Sequence, residues 1–538
     1  MAGLCFLSFL SASISCFLSK AYNAEIIVKL YKIILISIFL LAGLLRFYNI
    51  SNNPPGLYID EVANGNDAYS ILKTGKDQYG QSFPLFFRSL GDYKVPVYIY
   101  ATSFSMAFLG KNEFAVRFPS ALAGTLTVIL IYFILEQLLA LDKNKSLGKR
   151  LKYLPILAAF LLAISPWHLQ FSRGGFEVTL AVFLFLLASL LVIFYLKKKN
   201  FLYLSLGYLL YMLTIYTYDS YRILSPLVLI ILTLLIFWKI PKERIKLILL
   251  GAFCLLLYFP IFQFSLTPDG LERFSQTSAF VEYPTRSLLE KIKVYPVVFL
   301  KNYFSYFSSN YLFNFGDGIG RHQLPDFGLL FFWQLPFILA GLYALIKEKK
   351  SYLIYFILGI LVLSPIPAAF ARPSPHTLRN LLAVVSFISL SAIGIIIILD
   401  KIKTWRKTVI FLLSIIIIYY FLSYLHFYYV HYPNTNILDW GKGYKQVVEE
   451  SSKYSKAGYK IVIDEKLASL TQYFKFYTLG NLPNPEVVPE GWYKPRKWDN
   501  QPVLYIRPYY GVKFPKSLVE NIILPDPVHD ISVQFYQY

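Results

Sequence analysis

Apolar runs of about 17–25 residues recur along the first 430 positions, separated by short polar stretches. A helix of that length crosses a hydrocarbon layer of roughly 30 Å. The pattern predicts spans at 27–47, 119–140, 151–165, 178–196, 200–216, 222–238, 246–265, 329–347, 351–371, 379–399 and 406–428. Five connections are basic: Lys143 to Lys152, Lys197 to Lys199, Lys239 to Lys246, Lys347 to Lys350, and Lys401 to Lys407. Together they hold 19 Lys and Arg, so the positive-inside rule assigns all five to the cytoplasm. With each span crossing once, the segments near 48–118, 165–177, 216–222, 266–328 and 365–378 then face outside, as does everything after about 430. Val95 to Gly110 is also apolar, but counting it as a span would reverse the parity of every basic loop. It is expected as an interfacial helix lying along the headgroups.

The two ends of the chain read differently. Residues 1–26 hold an apolar, Ser-rich stretch with no basic residue before it. An extra span, a poor signal sequence and an upstream start all fit it. From about His431 the pattern shifts to short amphipathic segments. Asp439 to Lys456 and Ala468 to Tyr477 read as helices; Tyr459 to Asp464, Val503 to Arg507 and Ile531 to Phe535 read as strands. The expected organisation is a transmembrane domain over 27–430, with a functional first outer loop at 48–118, and an extracytoplasmic α/β domain over 431–538.

Composition agrees with this pattern. The 538 residues are 56% hydrophobic, 18% aromatic and only 15% charged, the profile of an α-helical multi-pass membrane protein. The net charge of +21 lies mainly in short loops between apolar runs, so no nucleic-acid partner is expected. The only cysteines are Cys5, Cys16 and Cys254, which form no disulfide or metal-binding pattern.

Candidate chemistry gathers on the outer side. Acidic pairs are scarce in so basic and apolar a chain, and Asp60-Glu61 follows the first span. A carboxylate there is suited to take a proton from an acceptor hydroxyl. The same loop carries Asp92 and Lys94. The outer ends of later spans add Arg117, the Ser165-to-Glu177 stretch with Arg173 and Glu177, Tyr218 with Arg222, then His322, His376 and Arg379. Ionisable groups at membrane depth are costly and point to function. Several cations on one face suit a phosphate or pyrophosphate. The charge of such a group can be met by Arg and Lys, and no His/Asp cluster shows ligand spacing in the sequence. No metal or cofactor is therefore expected.

Five ordered stretches carry a resemblance: Gly56 to Glu61, Asp92 to Pro96, Asn112 to Ser120, Ser165 to Glu177, and Tyr216 to Pro226. A weaker element spans Pro367 to Arg379. Over residues 27–430 the chain resembles membrane glycosyltransferases of the GT-C fold, specifically the glycosyltransferase family 39 or protein O-mannosyltransferase-like group and its aminoarabinose-transferase relatives. The resemblance implies Asp60 as catalytic base with Glu61 in support. It implies donor-phosphate contacts from Lys94, Arg117, Arg173, Arg222 and Arg379. Where the family commonly has His-Pro-Pro or Lys-Pro-Pro, this chain has Lys94-Val95-Pro96. The expected activity is that of a hexosyl- or pentosyltransferase. It moves a sugar from a polyprenyl-phosphate monosaccharide to a protein, cell-wall or lipid hydroxyl at the cell membrane, with inversion. The rivals are a metal-dependent oligosaccharyltransferase using a pyrophosphate donor, a lipid or sugar transporter, and a non-catalytic scaffold. A transporter should show repeats or paired broken helices.

Overall fold

The computed structural model describes residues 24–142, 151–285, 287–348, 351–435, 437–489, 502–508, 518–524 and 531–537. The apolar stretch in residues 1–18 and most of the basic loop at 143–152 lie outside the described residues.

Every expected span corresponds to a helix. In chain order the elements that build the site are α1 (Ala24–Phe47), α2 (Ile59–Thr74), α3 (Pro96–Leu109), α4 (Glu113–Leu141), α5 (Leu154–Ala163), α6 (Pro166–Arg173) and α7 (Glu177–Lys198). Further helices follow at Phe201–Ile215, Tyr221–Lys239, Arg244–Ser265, Leu335–Lys347, Tyr352–Leu363, Ala383–Lys401 and Arg406–His426. Among the described residues, eight helical stretches are long and apolar enough to cross a membrane, and α5 with the helix after it makes a ninth if that bent pair is one span. Phe201–Ile215 and Phe332–Lys347 are apolar but shorter. The helices carry large apolar side chains in the open, such as Leu40 at 64% and Leu255 at 72% exposed. Those faces suit lipid rather than water. The chain is a multi-pass membrane protein.

Several segments expected as loops are ordered. Pro166 stands at the first helical position of α6, where a missing N–H costs nothing. The stretch after Ser165 is thus not an exposed turn but a wholly buried helix, bent 55° from α5. The 266–328 segment folds into Pro268–Thr277 and Leu288–Ser305 before a short π-helix at Asn310–Phe315. The first loop contains a hairpin of β1 (Phe87–Ser89) and β2 (Asp92–Lys94), turned at Gly91 with φ +79°. α3 is a helix over the expected range, and it packs against α2 and α4.

Near the C-terminus the expected helices appear as Tyr444–Lys456 and Leu470–Tyr477. The strands are β3 (Lys460–Asp464), β4 (Glu486–Val488), β5 (Val503–Pro508), β6 (Leu518–Leu524) and β7 (Ile531–Gln537), in spatial order β4-β3-β5-β7-β6. β3 runs parallel to both β4 and β5, while β7 is antiparallel to β5 and β6. β4 and β6 were not expected. β4 is three residues long, and neither segment offers a long apolar alternation.

Two apolar cores hold these parts together. The larger runs through the spans and reaches Trp440. The smaller is shared: Leu57, Val62, Ile71, Phe87, Ile99 and Val116 from the first loop and α4 pack with Val447, Ile463, Leu470 and Phe474 from the C-terminal part. The C-terminal sheet region is thus built onto the first loop.

Candidate functional site

The acidic pair sits on the first turn of α2. Tyr58 is its N-cap, in extended backbone, so Asp60 and Glu61 occupy the second and third helical positions. Exposed N–H groups at a helix start favour carboxylates. Gly56 brings the chain in at φ +82°, where a Cβ would stand 2.7 Å from the Trp440 carbonyl oxygen. Only glycine fits this crossing.

The two acids have opposite surroundings. Glu61 is fully buried and forms a bidentate pair with Arg117, Nε to Oε1 at 2.7 Å and Nη2 to Oε2 at 3.0 Å. The backbone N–H groups of Gly175 and Tyr58 donate to the same carboxylate at 2.6 and 3.1 Å. A Cβ on Gly175 would lie 3.0 Å from Glu61 Cγ and Oε1, so a small residue is needed there. With four donors on two oxygens, Glu61 has no lone pair in reach of a ligand. Asp60 keeps 43% of its side chain exposed and pairs with Lys94 Nζ at 2.8 Å. Lys94 is last in β2, and its ammonium also approaches the Asp60 carbonyl at 3.4 Å. The hairpin register, Phe87 opposite Lys94, delivers this lysine to α2.

Glu177, first residue of α7, accepts from Asn64 Nδ2 at 2.8 Å one turn along α2 from Asp60. Burial and then the carboxylates of Glu177, Asp60 and Glu61 push the Tyr58 hydroxyl well above its ordinary range, with Arg321 opposing. The Arg321 guanidinium lies 5.2 Å from the Tyr58 ring centroid and 3.4 Å from Asp439. The acidic and basic groups of three separate segments thus converge on Tyr58.

The other arginines expected to contact phosphate are differently placed. Arg117 uses all five N–H groups: beyond Glu61 it donates to the carbonyls of Ile50, Pro54 and Gly56. Arg173, 2% exposed, donates to Leu45 O, Tyr48 O, Asn53 O and Tyr428 Oη. Both guanidinium groups tie down the 45–56 segment, meeting buried carbonyls there that find no other donor among the described residues. Arg222 pairs with Asp219 at 2.8 Å, and Arg379 donates to the carbonyls of Arg372 and Pro373. The Tyr218 turn reaches the first loop through Val97 N to Tyr216 O at 3.1 Å. Asp92 accepts from the next backbone N–H, Tyr93, and so serves the hairpin turn.

His322 and His376 come together with a residue that sequence reasoning missed, Asp317. Asp317 Oδ2 lies 2.7 Å from His322 Nδ1 and 4.0 Å from His376 Nδ1. Burial opposes its ionisation, but the His322 hydrogen bond and charge hold its carboxyl at about 2. The sequence carries no ligand spacing for this cluster, and folding assembles it. The residues share no sequence spacing because 54 positions separate His322 from His376.

The C-terminal part roofs this site. Trp440 is fully buried, edge-on to Tyr58 at 5.7 Å and to Phe176 at 6.0 Å. Tyr473 Oη donates to Leu57 O at 2.8 Å, and Asn66 Nδ2 donates to Gln472 O at 2.9 Å.

Residues 93–264 match a family described as dolichyl-phosphate-mannose-protein mannosyltransferase. No curated protein matches the sequence. Among solved structures, ArnT from Cupriavidus metallidurans bound to undecaprenyl phosphate superposes with a TM-score of 0.55 at 11% identity, covering 94% of this chain and 98% of that one. ArnT in its apo state gives 0.53 at 12% identity, covering 94% and 97%. An oligosaccharyltransferase from Archaeoglobus fulgidus stands further off, with a TM-score of 0.47 at 14% identity over 82% of this chain and 63% of its own. The chain thus shares the fold of ArnT, and its residues 93–264 are similar to that mannosyltransferase family.

Proposed function

We propose that the protein transfers a monosaccharide from a polyprenyl-phosphate donor to an acceptor hydroxyl on the extracytoplasmic face. The single observation that carries this reading is the contrast within the acidic pair. Glu61 is saturated by four donors, while Asp60 is half-exposed and already faces a cation. Asp60 takes the acceptor proton. Lys94, released from Asp60 as the donor enters, meets the departing phosphate, with Arg321 as the next cation at the Tyr58 ring. Attack by the acceptor oxygen on the anomeric carbon and departure of polyprenyl phosphate occur in one displacement, which inverts that centre. Charged donors placed where charge develops supply much of the rate.

Arg117 and Arg173 are assigned a positioning role, fixing the segment that carries Asp60. A polyprenyl-phosphate donor is supported by ArnT, whose fold this chain shares and which was captured with undecaprenyl phosphate. Sidedness is supported by polarity. Glu177 and Tyr221 begin helices on the side of the first loop, whereas the basic clusters at 197–199 and 239–246 follow those helices at their far ends. The test is transfer from a labelled polyprenyl-phosphate sugar in membranes prepared right-side-out and inside-out. The reading requires the acceptor to be modified on the extracytoplasmic side, and a strict dependence on a pyrophosphate-linked donor would replace it.

A further inference from the structure

We infer that Asp317, His322 and His376 form a zinc site that fastens the 310–328 segment to the loop ending at Arg379. One ligand atom from each residue falls within 4.8 Å of the others. Asp317 stands between Gly316 (φ +54°) and Gly318 (φ +76°), in a turn whose backbone aims its carboxylate inward. The Asp317 side chain is fully buried, and the imidazoles of His322 and His376 are 4% and 13% exposed.

The hydrogen bonds present do not account for all three residues. Asp317 Oδ2 takes His322 Nδ1 and the backbone N–H of Thr377, each at 2.7 Å. His376 Nδ1 is buried, 4.0 Å from the same oxygen, and has no hydrogen-bond partner among the described residues. A buried ring nitrogen left over beside a carboxylate and a second imidazole calls for an explanation, and a shared cation supplies one.

The donor set narrows the choice of ion. Two imidazoles and one carboxylate suit zinc, whereas magnesium and calcium favour all-oxygen shells. Zinc bonds of about 2.0–2.1 Å place donor atoms roughly 3.3 Å apart in a tetrahedron. Asp317 and His322 would separate slightly on binding, and His376 would swing in by up to about 1.5 Å. The Thr377 N–H would hold the ligating carboxylate as an outer partner. Arg321 and Arg379 lie near enough to oppose added positive charge at His376, so the fourth position falls to water or an anion.

The ion would stand behind the wall of the site. The His322 ring packs 5.3 Å from Phe171 and 6.1 Å from Phe176, and Phe176 stacks on Tyr58 at 5.2 Å.

The test uses the full chain in detergent, purified without a polyhistidine tag. It is stripped with chelator, dialysed against zinc and then against metal-free buffer, and analysed by elemental mass spectrometry. About one zinc per wild-type chain is expected, with His376→Ala and Asp317→Asn each losing most of it. Chelator should lower the wild-type unfolding midpoint, and zinc should restore it. If the variants do not fold, the wild-type stoichiometry and this reversible shift decide alone. Wild type that retains no zinc, or equal zinc in wild type and folded variants, overturns the site.

Discussion

Arg117 closes on Glu61 through two parallel hydrogen bonds, of 2.7 and 3.0 Å, in a pocket where both side chains are fully buried. Removing one partner of such a pair leaves an uncompensated charge and costs about 3–5 kcal/mol. Arg117→Ala should therefore lower the thermal midpoint in detergent steeply. Glu61→Gln, which keeps the shape and acceptor oxygen, should lose less. A midpoint for Arg117→Ala within a degree of wild type would rule out this structural role.

Lys94 carries the second prediction. Its ammonium neutralises Asp60 at 2.8 Å, and in the proposed reaction it turns to the leaving phosphate. Lys94→Ala should reduce kcat/KM for the polyprenyl-phosphate sugar on the order of 10²-fold, the usual loss for one charged donor at developing charge. Lys94→Arg should recover part of it. Unchanged transfer by Lys94→Ala would remove this residue from the donor site.

The spans were legible because a run of some 20 apolar residues has one stable fate in lipid. The meeting of acid and base around the first loop was legible because Asp60, Lys94 and Arg117 fall within 58 positions in order. What Arg117 and Arg173 do was not. A buried arginine that caps carbonyls and one that binds phosphate look alike until the carbonyls of Ile50, Pro54 and Leu45 are placed. The Ser165-to-Glu177 stretch misled for a related reason: its polar side chains find partners on other elements inside the bundle, as His168 Nδ1 does with Arg46 at 2.7 Å and Gln170 Nε2 with Tyr432 Oη at 2.6 Å. The Asp317 cluster depends on contact between two loops, which no local pattern encodes.

Asp67, deeper on α2, gives a pH prediction. Its side chain is buried, and burial lifts its carboxyl to about 6, with Gln78 and Lys94 pulling the other way. A carboxyl with a raised folded value gives its full contribution at acid pH and loses it as pH climbs through about 6. Asp67→Asn, which imitates the protonated form, should therefore raise stability at pH 8 by at most about 3 kcal/mol and lift the unfolding midpoint with it. Near pH 4 it should have little effect. A stabilisation of equal size at both values would show that ionisation is not the cause.

Trp440 links the C-terminal part to the site through Tyr58, Phe176 and the Arg117 guanidinium, 5.4 Å from its ring. Truncating so large a buried side chain costs about 3–5 kcal/mol. Trp440→Ala should loosen the region after residue 440 and speed its cleavage in limited proteolysis, with the spans left intact. An unchanged cleavage pattern would mean that the shared core around Leu57 and Phe474 holds the region without it.

The most direct test of the account is turnover by Asp60→Asn in membranes supplied with a labelled polyprenyl-phosphate sugar. The substitution keeps size and removes the base, so transfer should fall by about 10²–10⁴-fold while the protein still folds and inserts. Transfer at close to the wild-type rate would contradict the assignment of Asp60 as the group that accepts the proton.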